Sequence, residues 1–442
     1  MPAPGTGPVA SAPMDHETIR VGLLGCGHVG GALAGLLVQD RDAIAARTGL
    51  RLELAAVAVR STTRERDVAV PAGLLTNDAA AVVSDPSIDV VIEVIGGIEP
   101  ARSLILQALK LGKPVVTANK ELLANVGSEL FEAAGSAGVD LLFEASVGGG
   151  IPLIRPLRES LAGERIRRVM GIVNGTTNYI LTRMTEQGAS YQDALSEAQS
   201  LGYAERDPTA DVEGFDAAAK AAILAGVAFG LRVVAGDVYR EGISAITPDD
   251  IAYAGRLGYV IKLLAVLERD EEGRVDVRVH PAMVPATHPL AAVRDSFNAV
   301  FVEGDAVGEL MLLGRGAGGL PTASAVLGDL LDAAHNLRSG GVPRTVSLAQ
   351  GAVRPFDDLV SLYYLSLEVA DRPGVLASVS RVFGEHAVSI RSMEQTGLGA
   401  EARLVFITHS ATERDVQACL HDLRRLDVVD RIGSLVRVVG GR

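Results

Sequence analysis

The chain has 442 residues, 48% of them hydrophobic, a formal net charge of -13, 4% aromatics and no tryptophan. A chain of that length holds about two to four domains with sizeable cores. The acidic balance, with no marked run of Lys or Arg, argues against nucleic acid or an anionic membrane as the main partner, and so few rings offer little for single-stranded bases to stack on.

Residues 1–17 open with MPAPGTGPVASAP, rich in Pro, Gly and Ala, and read as a disordered tail that lacks the apolar stretch of a signal peptide. No run is long and apolar enough to span a bilayer. The two cysteines, Cys26 and Cys419, lie far apart, so neither a disulfide framework nor a zinc pattern is expected, and a reduced, cytoplasmic setting fits.

Residues 19–24 (IRVGLL) read as a buried strand running into Gly25-Cys26-Gly27-His28-Val29-Gly30, and residues 32–47 (ALAGLLVQDRDAIAAR) as the following helix. A G-x-G-x-x-G in that place marks a dinucleotide site. Gly25 permits the tight turn, Gly27 lets a pyrophosphate approach the backbone, and Gly30 lets helix and strand pack closely. The helix start adds N–H donors and a positive dipole. A second strand, 52–59, ends in Arg60-Ser61-Thr62-Thr63-Arg64. An acid there would favour NAD; a cation and hydroxyls suit the 2′-phosphate of NADP, unless Arg60 and Arg64 are ordinary surface arginines.

Residues 88–95 form another buried strand, 101–111 a helix, and 113–120 (KPVVTANK) a strand whose end carries Thr117, Asn119 and Lys120. In open α/β sheets ligands sit beyond the carboxyl ends of the strands. Lys120 is therefore expected near nicotinamide or substrate, or else at the surface as the start of the next helix. Strand 139–145 leads out of this domain.

Residues 144–152 (EASVGGGIP) read as a glycine hinge, and Glu144 with nearby carbonyls would also suit a hard cation. Strand 165–173 runs into Asn174-Gly175-Thr176-Thr177-Asn178, a turn and helix cap. Helices come next, to Ser200, then an acidic loop with Glu205, Asp207, Asp211 and Glu213. A helix begins at Phe215 (FDAAAKAAILAGVAFG). Asp216 and Lys220 are four apart on it, on one face. Such a spacing is often a solvated ion pair. Here they are the only charges from Phe215 to Leu231, on a helix apolar nearly all round, and a buried charge is paired or used. Strands are expected near 275 (VDVRVHP) and 297 (FNAVFVEG) in a mixed sheet. The loop 314–322 (GRGAGGLPT) allows close approach to a ligand or simply connects, and an apolar helix runs on to about residue 335. The C-terminal part reads strand (362–370), helix after Asp371-Arg372-Pro373-Gly374, strand near 388, strand 402–408, helix 412–426 and strand near 435. That βαββαβ order is ferredoxin-like and holds no catalytic cluster, so binding or assembly is its expected task.

Across nearly the whole chain after the tail, these residues resemble the homoserine dehydrogenases. The resemblance rests on GLLGCGHVG, VIEVIGGIE, VVTANK, FEASVGGGIP, MGIVNGTTNYIL, LGYAERDPTADVEGFDAAAKAAIL and GRGAGGLPTASAV. The DRPGVLA segment resembles the start of an ACT domain, a small-molecule regulatory module. The form fused to an aspartate kinase is not expected. The resemblance implies an α/β fold with a Rossmann-type nucleotide-binding domain (18–145 with 320–336) and an α+β substrate and dimerisation domain with a mixed sheet (146–319). A linker (337–360) and a ferredoxin-like ACT domain (361–442) complete it.

It further implies reversible NAD(P)-dependent conversion of L-homoserine and L-aspartate 4-semialdehyde, in threonine, methionine and isoleucine synthesis. Lys220 would be the proton donor, Lys120 a second functional lysine, and Glu205, Asp216 and Asp211 the substrate residues. Gly25, Gly27, His28, Val29, Gly30, Arg60, Thr117, Lys120, Gly202 and Gly318 would meet the cofactor. Carbonyls of Glu144, Val147, Gly149 and Ile151 would hold a monovalent, sodium-like cation. A homodimer or homotetramer with threonine as the ACT effector is expected. The rivals are another ACT-bearing dehydrogenase, such as a hydroxy-acid dehydrogenase with its His–carboxylate pair, and a non-catalytic sensor of dinucleotide and amino acid; no His lies in 201–220.

Overall fold

The computed structural model describes residues 18–66, 70–341, 346, 348–349, 351, 353–397 and 401–440; the tail expected over 1–17 lies outside them. The chain divides into two units, one of 1–122, 129–145 and 318–345, the other of 123–128, 146–317 and 346–442.

The first unit is built on a parallel sheet of β1 (Thr18–Leu24), β2 (Arg51–Ala58), β3 (Leu75–Thr76), β4 (Val90–Glu93), β5 (Val115–Thr117) and β6 (Leu141–Leu142). Their order is β3-β2-β1-β4-β5-β6, the doubly wound arrangement expected from the sequence. Parallel strands covered by helices are apolar on both faces, and β4 (VVIE) is buried at every residue. Leu23, Leu33, Val57, Ile92, Val326 and Leu330 meet in its core. Val326 and Leu330 come from helix Gly319–Ser339, so a late segment completes the early domain. Asp329 on that helix is buried and accepts the Glu144 N–H at 2.7 Å.

The single helix expected over 32–47 is instead two helices, His28–Gln39 and Arg41–Thr48. The break falls at Asp40, whose backbone (φ -102°, ψ 11°) leaves the helical region. Asp competes with the helix for its own backbone bonds and favours ends over interiors.

The second unit carries one long sheet. Its strands are β7 (Ile166–Ile172), β8 (Tyr239–Arg240), β9 (Tyr259–Arg269), β10 (Val275–Pro285), β11 (Phe297–Gly304), β12 (Gly308–Arg315), β13 (Val360–Ala370), β14 (Ile390–Gly397), β15 (Glu401–Thr408), β16 (Ala411–Thr412) and β17 (Val429–Val438). The order is β12-β11-β7-β9-β10-β17-β13-β15-β14, with β8 beside β10 and β16 beside β13. Strands β9 and β12 were not among those expected. β9 (YVIKLLAVLER) is buried through its middle on both faces, which erases the alternation that marks a strand.

The ferredoxin-like module appears as expected, with helices Val375–Glu385 and Glu413–Leu423 crossing between its strands. Tyr363, Leu367, Phe383, Phe406, Leu420 and Leu423 fill its core. Its sheet is not separate. β17 pairs with β13 inside the module and, at its end, lies parallel to β10 through Ala282–Arg437 and Met283–Val438. The Val439 N–H then bonds the Met283 carbonyl at 2.8 Å.

Candidate active site

In the first unit the three glycines of the turn after β1 differ in what surrounds them. Gly25 takes φ +100°, and a Cβ there would stand 2.7 Å from the Val94 carbonyl. A Cβ on Gly30 would stand 2.2 Å from the Gly25 carbonyl, so helix and turn touch. Gly27, at the start of helix His28–Gln39, has open space where a Cβ would be. His28 beside it is exposed and Val29 is half-buried. Gly318 (φ +114°) starts the late helix, and a Cβ on Gly319 would come within 3.0 Å of the His28 carbonyl. The loop 314–322 thus ends against the glycine turn.

Thr117 is fully buried, and its hydroxyl donates to Glu93 at 2.6 Å. Glu93 also accepts the N–H groups of Ile95 and Gly96, at 2.7 and 3.2 Å. This buried carboxylate ties the ends of β4 and β5 together, and nothing in the sequence singles it out. Asn119 caps helix Lys120–Ala137, accepting from Leu122 N–H at 3.1 Å, and Lys120 is exposed at its first position. After β2, Arg60 and Arg64 are exposed. Arg66 folds back on the loop and donates to the carbonyls of Arg64 (2.8 Å) and Ser61 (2.5 Å). Arg66 therefore shapes this loop, a role that no sequence pattern marks.

The second unit gathers the charges singled out in sequence. Helix Phe215–Phe229 starts after Gly214 (φ +80°) and buries Asp216 and Lys220. Lys220 Nζ donates to Asp216 Oδ2 at 2.7 Å and to the Val173 carbonyl at 2.6 Å. Asn174 Nδ2 donates to the same Asp216 oxygen at 2.9 Å and to Asp211 Oδ1 at 2.7 Å. Thr176 Oγ1 reaches Asp211 Oδ2 at 3.2 Å and the Tyr203 carbonyl at 2.6 Å. Asn174 is also the cap of helix Gly175–Gln187, its Oδ1 accepting from Thr177 N–H at 2.9 Å.

One asparagine therefore fixes a helix start and two carboxylates together. The sequence marks it as a cap but not as the bridge. Glu205 and Gly202 lie in the exposed loop before this cluster, Gly202 with φ +76°. Elsewhere in the unit, Gly148 and Gly149 take φ +76° and +56°, and the Gly150 N–H bonds the Arg315 carbonyl at 3.1 Å. Val147 and Ile151 are buried.

Residues 25–144 match the family description "Homoserine dehydrogenase, NAD binding domain", 152–331 match "Homoserine dehydrogenase", and 363–428 match "ACT domain". A homoserine dehydrogenase of Mycobacterium tuberculosis is 51% identical over 440 residues, covering 97% of this chain and 99% of that protein. The chain belongs to the homoserine dehydrogenase family. The solved homoserine dehydrogenase of Thiobacillus denitrificans superposes with a TM-score of 0.90 at 42% identity, over 96% of this chain and 98% of that one. A hyperthermophilic archaeal homoserine dehydrogenase, solved in complex with NADPH, matches 72% of this chain and 98% of its own at a TM-score of 0.60 and 29% identity. The first two relatives match this chain over nearly its whole length, and all three support neither the hydroxy-acid dehydrogenase nor the sensor.

Behind the cluster, Lys262 on β9 is 2% exposed. It donates to Asn178 Oδ1 at 2.9 Å and to the Val293 carbonyl. Both acceptors are neutral; the charges around it are Glu186, Arg294 and Asp295. Burial pulls its pKa down to about 8. An unfolded lysine titrates near ~10.4, so between those values the folded state binds fewer protons and stability rises with pH. Below that window the whole penalty, about 3 kcal/mol, is present. Lys262→Met should remove the rise, read from urea unfolding at neutral pH and at about pH 9.5. A variant whose stability climbs as steeply as the parent's would contradict this account.

Proposed function

We propose that this chain interconverts L-homoserine and L-aspartate 4-semialdehyde with NADP, with Lys220 as proton donor in the reducing direction. The observation that carries the reading is the buried Lys220–Asp216 pair on an otherwise apolar helix, held at 2.7 Å beside Asn174 and Asp211.

The open backbone at Gly27 and the helix start behind it fit a dinucleotide pyrophosphate. When bound, the reduced nicotinamide supplies the hydride that adds to the aldehyde carbon. As that bond forms, negative charge grows on the carbonyl oxygen. Lys220 stabilises it and transfers a proton to it, giving the alcohol. Asp216 keeps the lysine charged and aimed, while Asn174 keeps Asp216 in place. Asp211, Asp216 and the exposed Glu205 supply negative charge for the substrate ammonium. Lys120, exposed at a helix start beyond β5, adds positive charge on the nucleotide-binding unit. Arg60 and Arg64, exposed after β2 on a loop braced by Arg66, favour a 2′-phosphate, and the NADPH complex of the archaeal relative points the same way.

Lys220→Ala should lose at least about a hundredfold in turnover while NADP binding persists, and the parent should prefer NADPH to NADH. Near-normal rates in that variant, or lost NADPH binding, would reject the lysine's role; both are read from nicotinamide absorbance and fluorescence.

The carbonyls of Glu144, Val147, Gly149 and Ile151 would hold a monovalent cation and so stiffen the glycine hinge. The support is chemical: oxygen donors suit a hard cation, and the left-handed turns at Gly148 and Gly149 curl the segment. Replacing sodium by choline should lower the rate, and an unchanged rate would remove the cation from the scheme.

The ACT module binds a small-molecule effector in this reading, with threonine the natural choice at the end of the route. Copies pair as dimers or tetramers, a step favoured by β14, which ends the long sheet with most residues exposed. Threonine should slow homoserine oxidation and shift the assembly seen by light scattering; no change in either would exclude it.

A further inference from the structure

A deeply buried ion cluster of the second unit lies where the ACT strand β17 meets the substrate half of the sheet. Arg437 is 2% exposed. Its guanidinium takes both oxygens of Glu413, Nη2 at 2.6 Å and Nε at 3.1 Å, and with Nη1 takes Glu241 at 2.7 Å. Glu413 opens an ACT helix and is fully buried, and Tyr363 of β13 also donates to it at 2.9 Å. Glu241 belongs to the substrate half. A bidentate arginine between two carboxylates leaves little rotational freedom to either.

The backbone from Glu241 to Ile243 is equally constrained. The Glu241 N–H bonds the Val279 carbonyl of β10 at 2.8 Å. The next residue, Gly242, presses on the acidic loop: a Cβ there would stand 2.4 Å from the Val212 carbonyl and 2.7 Å from Glu213 Cα. Ile243 N–H then bonds that same Val212 carbonyl at 2.9 Å. Val212 comes directly after Asp211, and Gly214 two residues on begins the Lys220 helix. From Arg437 the path to the Val212 carbonyl, one residue from Asp211, therefore runs through one ion pair, two peptide units and one backbone hydrogen bond.

We propose that Glu241, clamped by Arg437 of the ACT sheet, is a positioning residue for Asp211 and Asp216, so that the ACT domain sets substrate affinity through the segment 241–243. This rests on the reading of Asp211 and Asp216 as substrate residues. The archaeal relative that matches only 72% of this chain is a homoserine dehydrogenase over 98% of its own length. The coupling is carried by contiguous bonds rather than by proximity alone.

The test uses the full chain and two substitutions outside the reacting groups. Glu241→Gln keeps the side-chain shape and removes the ion pair. Gly242→Ala adds one methyl against the Val212 carbonyl. Each should raise KM for homoserine about fivefold with KM for NADP near that of the parent, and each should also lower the melting temperature, Gly242→Ala because its methyl meets backbone and Glu241→Gln because a buried arginine loses a carboxylate. Glu241→Asp, which keeps the charge, should recover part of the loss. If the parent oxidises homoserine while both variants keep its KM, or lose only kcat and stability, the clamp is overturned. A parent silent on homoserine overturns the reaction assignment itself and takes the clamp with it.

Discussion

A single buried ammonium organises the charged cluster of the second unit. Lys220 sits among alanines, and the cost of burying its charge is offset by Asp216 and the Val173 carbonyl, which both meet it. Asp216 in turn needs Asn174, and Asn174 holds Asp211 while capping its own helix. Each partner comes from a different stretch: the end of β7, the turn after it, the acidic loop and the helix start. The geometry of the site is thereby a by-product of the need to neutralise one buried lysine.

The first unit solves a different problem with fewer charges. Its turn after β1 must leave backbone uncovered at Gly27 while packing Gly25 and Gly30 against neighbouring carbonyls. Glu93 ties the ends of β4 and β5 together through Thr117 and the Ile95 N–H. The late helix closes the unit through Asp329 and the approach of Gly319 to His28.

Much of this was legible in the chain because it depends on local order. The glycine motif announces itself between a strand and a helix, and the Asp216–Lys220 pair stands out as the only charges on an apolar helix. Asn174 could be read as a cap, since a cap needs only its neighbours. Its bridge to two aspartates could not, because those lie 37 and 42 residues further on. The Val173 carbonyl was invisible for a simpler reason: a backbone acceptor has no residue identity. β9 escaped because burial on both faces removes alternation, and the break at Asp40 escaped because one polar residue in an apolar run is a weak stop. The Arg437–Glu241 pair spans 196 residues, beyond any periodicity.

The union of β17 with β10 also bears on how the protein is made. On a ribosome β10 emerges long before β17, and through that interval one edge of it presents unsatisfied N–H and C=O groups to solvent. β8, two residues long, and a bridge from Val353 to Val275 shield part of that edge beforehand. At Ala282 and Met283 that border is closed by one of the final strands to be synthesised, so this join between the two halves of the sheet is a late, non-local step of folding.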